Sequence, residues 1–154
     1  KVKTLDPSRL VNNASGDADK HCGDVIDNHT YPGPSCPKPE EKRAAVLGEF
    51  GGLGLPVDGH TWTQKTWGYK GMASRDELTQ TFVTLMAKAW ALKESPGLSA
   101  TIYTQITDVE TECNGLLTYD REIVKMDMDR VAAANRGEFP PPPEVKAMVK
   151  PLPK

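Results

Sequence analysis

The chain is poor in the features that define several large protein classes. It has no apolar run near the roughly 18 residues that a membrane-crossing helix requires. Charge of either sign is scarce in excess: 19 basic against 21 acidic side chains leave a formal net charge of −2. No basic patch stands out, so nucleic acid and a membrane surface are not expected partners. Cysteine is sparse, with only Cys22, Cys36 and Cys113. An odd count cannot pair fully within one chain. Cys22 and Cys36 are near enough in sequence to bridge in an oxidising compartment, and three free thiols are the equal alternative. His21 and His29 lie near them, but no C-x-x-C or H-x-x-x-H spacing supports zinc, and neither a metal nor a cofactor is expected. The chain begins at Lys1 without an initiator methionine and has no signal-peptide pattern, which reads as a fragment or a processed product.

What the chain does have is proline and glycine, thirteen of each, in clusters. YPGPSCPKP at 31–39 reads as an ordered irregular loop. FPPPPEVKAMVKPLPK at 139–154 suits neither helix nor central strand, so 138–154 is read as a tail or linker and 1–137 as the folded unit. At 154 residues the length allows one domain with a sizeable core.

Patterning predicts a strand, strand, strand, long helix, strand, helix order. Short strands are expected at Arg9–Asn13 and Asp24–His29. A third lies within 40–50 and ends on Glu49, and its core, Ala44–Leu47, is continuously apolar, as in strands covered on both faces. Ser74 and Glu77 form a capping box, and Leu78, Phe82, Leu85, Met86, Ala89 and Leu92 follow at helical spacing until Pro96-Gly97. A β-branched strand is expected within 98–108 and a short helix over Asp127–Asn135, with Gly137 beyond it. The third strand, long helix and fourth strand make a β-α-β unit, so all four strands are expected parallel and ordered as in sequence. The connection from Gly51 to Met72 is long for a compact domain and carries His60, Trp62, Trp67 and Tyr69, which marks it as a functional loop.

Glu49 stands out by position. It is the single acid between an apolar strand and the glycine-rich run GGLGLP. A carboxylate there is either a loop anchor or a chemical group.

Four segments in order, DPSRLVNNASG, GDVIDNHTYPGP, AAVLGEFGG and IYTQITDVETECNGLLTYDREIVK, resemble glycoside hydrolase family 2, the β-galactosidases, β-glucuronidases and β-mannosidases. The resemblance covers roughly residues 5 to 135. It implies an α/β fold, part of a (β/α)8 TIM barrel from about strand five to strand eight. A full barrel takes about 250 residues, so the length agrees with half of one, and the missing upstream half of the same barrel becomes an expected partner.

The resemblance also implies roles. Retaining glycosidases need two carboxyl groups about 5–5.5 Å apart, one to protonate the leaving oxygen and one to attack the anomeric carbon. Glu49-Phe50-Gly51 matches the family's nucleophile at the end of strand seven. Tyr31 resembles a tyrosine that supports that nucleophile, with His29 as its rival for the position and otherwise a substrate contact. The family's acid/base glutamate follows an asparagine, and this chain has no Asn-Glu dipeptide. Where glucuronidase-like members carry a tryptophan after strand eight, this chain has Tyr103 or Thr104, then Gln105 and Asp108, which leaves the sugar open. Gln105 and Asp108 either bind sugar hydroxyls or tie loops. Glu110 and Glu112 read as solvated acids, and Asn114-Gly115 as a turn. His60, Trp62 and Trp67 could form a stacking wall for a sugar face. The expected ligand is a β-linked glycoside or oligosaccharide. Two other readings stay open: a catalytically silent carbohydrate-binding relic, and a glutamate-nucleophile barrel hydrolase outside family 2. Many relatives are secreted or periplasmic, a setting that would suit a Cys22–Cys36 bridge.

Overall fold

A computed structural model describes residues 1–139. Its elements in chain order are α1 (Val2–Leu5), β1 (Val25–Thr30), β2 (Ala44–Gly51), β3 (Leu53–Gly54), β4 (Lys70–Gly71), α2 (Arg75–Glu94), β5 (Ala100–Thr104) and α3 (Met128–Asn135). The fold is mixed α/β with parallel sheets. The main sheet has the order β1-β2-β5, with both pairings parallel. Val46 lies beside Ala100 in that register, as a β-α-β crossover through α2 requires. A second parallel pair, β3-β4, ties the two ends of the long aromatic connection together.

Three expectations need correction. Arg9–Asn13 is not a strand. Val11 sits against the start of β1, but its N–H goes to the Asp24 carboxylate at 2.7 Å, and Asn12 turns its side-chain oxygen onto the amides of Ala14 and Ser15. Side-chain acceptors thus take donors that a sheet ladder would need. The strand expected within 98–108 ends at Thr104, because the following segment folds back on 112–117 through bonds such as Leu116 N–H to Gln105 O at 3.0 Å. The third strand does not end on Glu49 but runs on to Gly51. Most of the Pro-rich tail, residues 140–154, lies outside the described residues. All three cysteines are free thiols.

The long helix forms as its pattern demands. The Ser74 hydroxyl accepts from Glu77 N–H at 3.1 Å, while the Glu77 carboxylate reaches back to Ala73 N–H at 2.7 Å. That is a capping box displaced by one residue at its return bond. At the other end the amides of Gly97 and Leu98 both return to Leu92 O, with Gly97 in the left-handed region at φ 116°. Leu78, Phe82, Leu85, Met86 and Ala89 are buried on one face, against Leu47, Phe50 and Leu53. Leu92 is only partly buried at the edge of the same cluster. Tyr103 inserts between Phe50 and Phe82, edge-on to both at 5.5 and 4.9 Å. α3 begins at the Asp127 cap, packs Val131 and Ala134 on α2, and takes the Trp90 indole N–H on Ala134 O at 3.1 Å. Truncating Leu47 or Phe82 to alanine in such a core costs about 2–5 kcal/mol.

Candidate functional site

The site is built on an irregularity in β2. In register, Asp27 pairs Val46, Asn28 pairs Leu47, and His29 pairs Glu49, so Gly48 is passed over. One extra residue in a strand turns everything after it by one face. Ala45, Leu47 and Phe50 therefore all reach the helix-side core, whereas Val46 and Glu49 share the other face with Asp27 and His29. The Gly48 N–H is taken by the Asp27 carboxylate at 2.7 Å. A Cβ at Gly48 would lie 2.2 Å from that same oxygen, which is why glycine stands there.

Asp27, His29 and Tyr31 follow at alternate positions along and just past β1, so all three project to Glu49's side of the sheet. The Asp27 carboxylate is almost wholly enclosed and also accepts from Asn12 Nδ2 at 2.5 Å. His29 bridges two acids: its Nε2 is 3.7 Å from Asp27 Oδ2 and its Nδ1 is 3.5 Å from Glu49 Oε2. The Tyr31 hydroxyl donates to Glu49 Oε2. The Thr104 hydroxyl, at the carboxyl end of β5, lies 3.2 Å from the same phenol oxygen. Burial first, and then the bond to Glu49, push the Tyr31 hydroxyl well above the ordinary phenol range, so it remains a proton donor at neutral pH. Two of the expected residues, His29 and Tyr31, thus converge on Glu49: Tyr31 hydrogen-bonds one of its oxygens and His29 stands beside the same oxygen. Its side chain is 42% exposed.

The other expected residues are placed elsewhere. Tyr103 is part of the core rather than a sugar contact. Its ring is wedged among Phe50, Phe82 and the bare backbone of Gly51, where a Cβ would meet it at 2.2 Å, and burial raises its hydroxyl. Asp108 is also interior. Its Oδ1 accepts from Lys125 Nζ at 2.6 Å and from Gly115 N–H at 2.7 Å, and the Lys125 side chain is fully buried. Lys125 spends its other donors on the carbonyls of Leu55 and Cys113, both at 3.0 Å. Asp108 therefore ties loops together. Gln105 does the same through Asn114, which in turn donates to Glu112 at 2.8 Å. Glu110 is exposed, as expected of a solvated acid, whereas Glu112 is half-buried.

The expected aromatic wall is divided. His60 Nδ1 binds Asp120 at 2.7 Å and Trp62 leans on Tyr119 at 4.8 Å, so both belong to the 117–124 loop. Trp67 goes the other way. It packs edge-on against Tyr69 at 5.3 Å, and Tyr69 stacks flat on Tyr31, with centroids 3.7 Å apart and planes 3° from parallel. Trp67 therefore joins the Glu49 cluster through Tyr69, a residue that sequence reasoning had not assigned to the site. Asp27 and Gly48 were also missed; the D-x-H-x-Y alternation in β1 is the signal that could have found Asp27.

Two His-acid groupings have metal-like spacing, Asp19-His21-Glu40 and His60-Asp120-Glu122. In the first, both carboxylates are occupied by Arg43, at 2.8 and 2.7 Å. In the second, Asp120 is already engaged by Thr118 and His60. Both groupings act as loop ties. No helix among the described residues is long and apolar enough to cross a membrane. Comparison with known protein families and with curated proteins finds no match to this chain.

Proposed function

We propose that this chain is the nucleophile-bearing part of a retaining β-glycosidase, an arc of a TIM barrel resembling strands five to eight of family 2 enzymes. What carries the reading is the arrangement at Glu49: a half-exposed carboxylate near the carboxyl end of parallel strands, held on one oxygen by Tyr31 with His29 3.5 Å from the same oxygen. Catalytic groups of barrels gather at that end of the strands. The open sheet is a further support, since β1 and β5 each have one unpaired edge among the described residues and soluble folds cover long parallel edges.

In this reading Oε2 is the anchored oxygen. Oε1 has no hydrogen-bond donor among the described residues and is the atom left to attack the anomeric carbon. Attack forms a glycosyl ester on Glu49 while the bond to the leaving oxygen breaks and that oxygen takes a proton from an acid. Water then attacks the anomeric carbon, giving its proton to the conjugate base of that acid, and Glu49 leaves as carboxylate. Tyr31 keeps the carboxylate oriented throughout and supplies no proton to the leaving group. The acid comes from the upstream half of the barrel.

The test uses the enzyme with both halves and a mechanism-based 2-fluoro glycoside. Peptide mapping should find the label on Glu49. Label on another residue, together with an active Glu49→Gln variant, overturns the reading. The chain without its upstream half should not hydrolyse nitrophenyl β-galactoside, glucuronide, glucoside or mannoside above background, because general acid catalysis is worth about 10²- to 10⁴-fold.

A further inference from the structure

We propose that Tyr69 is a positioning residue: its ring, stacked on Tyr31, holds the Tyr31 hydroxyl on Glu49. The enzymatic part of this inference rests on Glu49 being the nucleophile; the structural part does not.

Tyr31 stands just past the end of β1, at the start of a proline-rich turn, so alternation sets the face it projects to but not the torsion of its side chain. A phenol there could swing away from Glu49 with a small change of its side-chain torsion. Tyr69 removes that freedom. The rings are parallel to within 3° at 3.7 Å. Both also rest on Gly52, whose Cβ, if present, would come within 2.5 Å of Tyr69 and 2.9 Å of Tyr31. Gly52 is in the left-handed region at φ 62°, so the position needs glycine for its backbone as well as for the space.

The clamp is itself anchored. Trp67 N–H binds Thr111 O at 2.9 Å and Cys113 N–H binds Trp67 O at 2.8 Å. Lys70 N–H binds Gly52 O at 3.2 Å, and the β3-β4 pairing follows immediately. Tyr69 is therefore held on both sides in sequence and braced by the edge of Trp67. Yet it is 50% exposed and stands outside the hydrophobic core. Its hydroxyl has no hydrogen-bond partner among the described residues, so what it contributes is the face of its ring. A half-exposed ring can be removed without opening the core, which separates positioning from stability.

The consequence is local. Tyr69 keeps water off one face of Tyr31 and keeps the phenol aimed at Oε2. Without it, Tyr31 becomes wetter and its hydrogen bond to Glu49 is made only part of the time. Burial is the main reason that the Tyr31 hydroxyl resists ionisation, so wetting makes it easier to ionise.

The first arm of the test uses the full chain with tyrosine labelled at Cζ. In the parent chain the Tyr31 carbon should keep its phenol shift to the alkaline limit of folding. In Tyr69→Ala it should move toward the phenolate shift within that range. Tyr69→Phe, which keeps the ring, should behave as the parent. The second arm uses the enzyme with both halves and measures the rate of labelling by the fluoro glycoside. Tyr69→Ala should slow labelling by roughly tenfold, the scale of one misaimed hydrogen bond to a charged group. In a Tyr31→Phe background the same change should add less than about twofold, since it acts through a hydroxyl already gone. An unchanged Tyr31 titration in Tyr69→Ala overturns the inference. So does failure of Tyr69→Phe to restore it, or an undiminished effect in the Tyr31→Phe background, which would mean that Tyr69 meets substrate directly. Label that avoids Glu49 would instead end the nucleophile reading, and the titration arm would still decide whether Tyr69 holds Tyr31.

Discussion

The Gly48 N–H lies 2.7 Å from the Asp27 carboxylate, and that bond marks the point where β2 changes face. Before it the strand alternates Ala45 and Leu47 into the core; after it Phe50 continues the core and Glu49 faces away. A buried acid on one strand thus sets the direction of an acid on the next.

Gly48→Ala should be costly at two levels. The added methyl would sit 2.2 Å from Asp27 Oδ1, with Cγ at 2.6 Å, so the carboxylate or the strand has to move. Overpacking of this kind costs about 1–3 kcal/mol, readable by urea denaturation. Labelling at Glu49 should fall further than stability alone predicts, because the bulge sets its direction. Asp27→Ala in the same background should recover part of the stability and none of the labelling. An alanine at 48 that leaves both measurements unchanged would show that the bulge does not depend on glycine.

Lys125→Met should be among the most damaging single changes. It leaves the Asp108 carboxylate buried without its cation and strands the carbonyls of Leu55 and Cys113. Removing one partner of a buried pair costs about 3–5 kcal/mol. Lys125→Met with Asp108→Leu should be milder than Lys125→Met alone, since no charge is then left unpaired. Equal losses for the single and double variants would remove the ion pair as the cause.

The 117–124 loop should loosen in acid. The Thr118 hydroxyl, then the Glu122 N–H and then His60 hold the Asp120 carboxyl down at about 2, from an ordinary value of 3.8. A depressed acid contributes stability above its unfolded value and loses it as pH falls through the folded one. The window is therefore about pH 4 down to about 2. Protection of the Glu122 and Ile123 amides, taken against the unfolded-chain exchange rate at each pH, should fall across it, and Asp120→Asn should show the lower protection already at pH 5. Protection that is flat across this window in the parent chain would contradict the assignment.

The helices were legible because their signals are local. The Ser74-Glu77 box, the apolar spacing from Leu78 to Ala89 and the Pro96-Gly97 stop each act within a turn or two. Parallel order was legible too, since a strand, a long helix and a strand admit few arrangements. The segment at Arg9–Asn13 misled because Asp24 and Asn12 divert its hydrogen bonds, and side-chain competition of that sort depends on partners brought in by the fold. That Tyr31 would meet Glu49 was readable from their motifs. Tyr69 was not, because it lies 38 residues from Tyr31 by number and meets it only through the β3-β4 pairing. Asp108 stayed open between two readings for a related reason. An acid after a strand suits a sugar contact as well as a loop tie until the Lys125 side chain, 17 residues on, is seen to reach it.

The open edge of β5 should drive self-association of this chain. Its outer side pairs with nothing among the described residues, and Ile102, 51% exposed, stands at its centre with Ile106, 70% exposed, just beyond. An exposed apolar edge is a template for another strand. Light scattering after size exclusion should therefore find species larger than one chain, increasing with concentration. Ile102→Lys places a charge on that edge and should shift the population toward monomer. The fold should be unchanged, because the side chain lies outside the core formed by Leu47, Phe50 and α2. A matching change at the exposed Met128 on α3, Met128→Lys, controls for added charge and should leave association as it was. Adding the upstream half of the barrel should suppress association in the parent chain, since it would occupy the same edge. A strictly monomeric parent chain, or equal responses to Ile102→Lys and Met128→Lys, would show that the β5 edge is not a pairing surface and would remove one support of the barrel-arc reading.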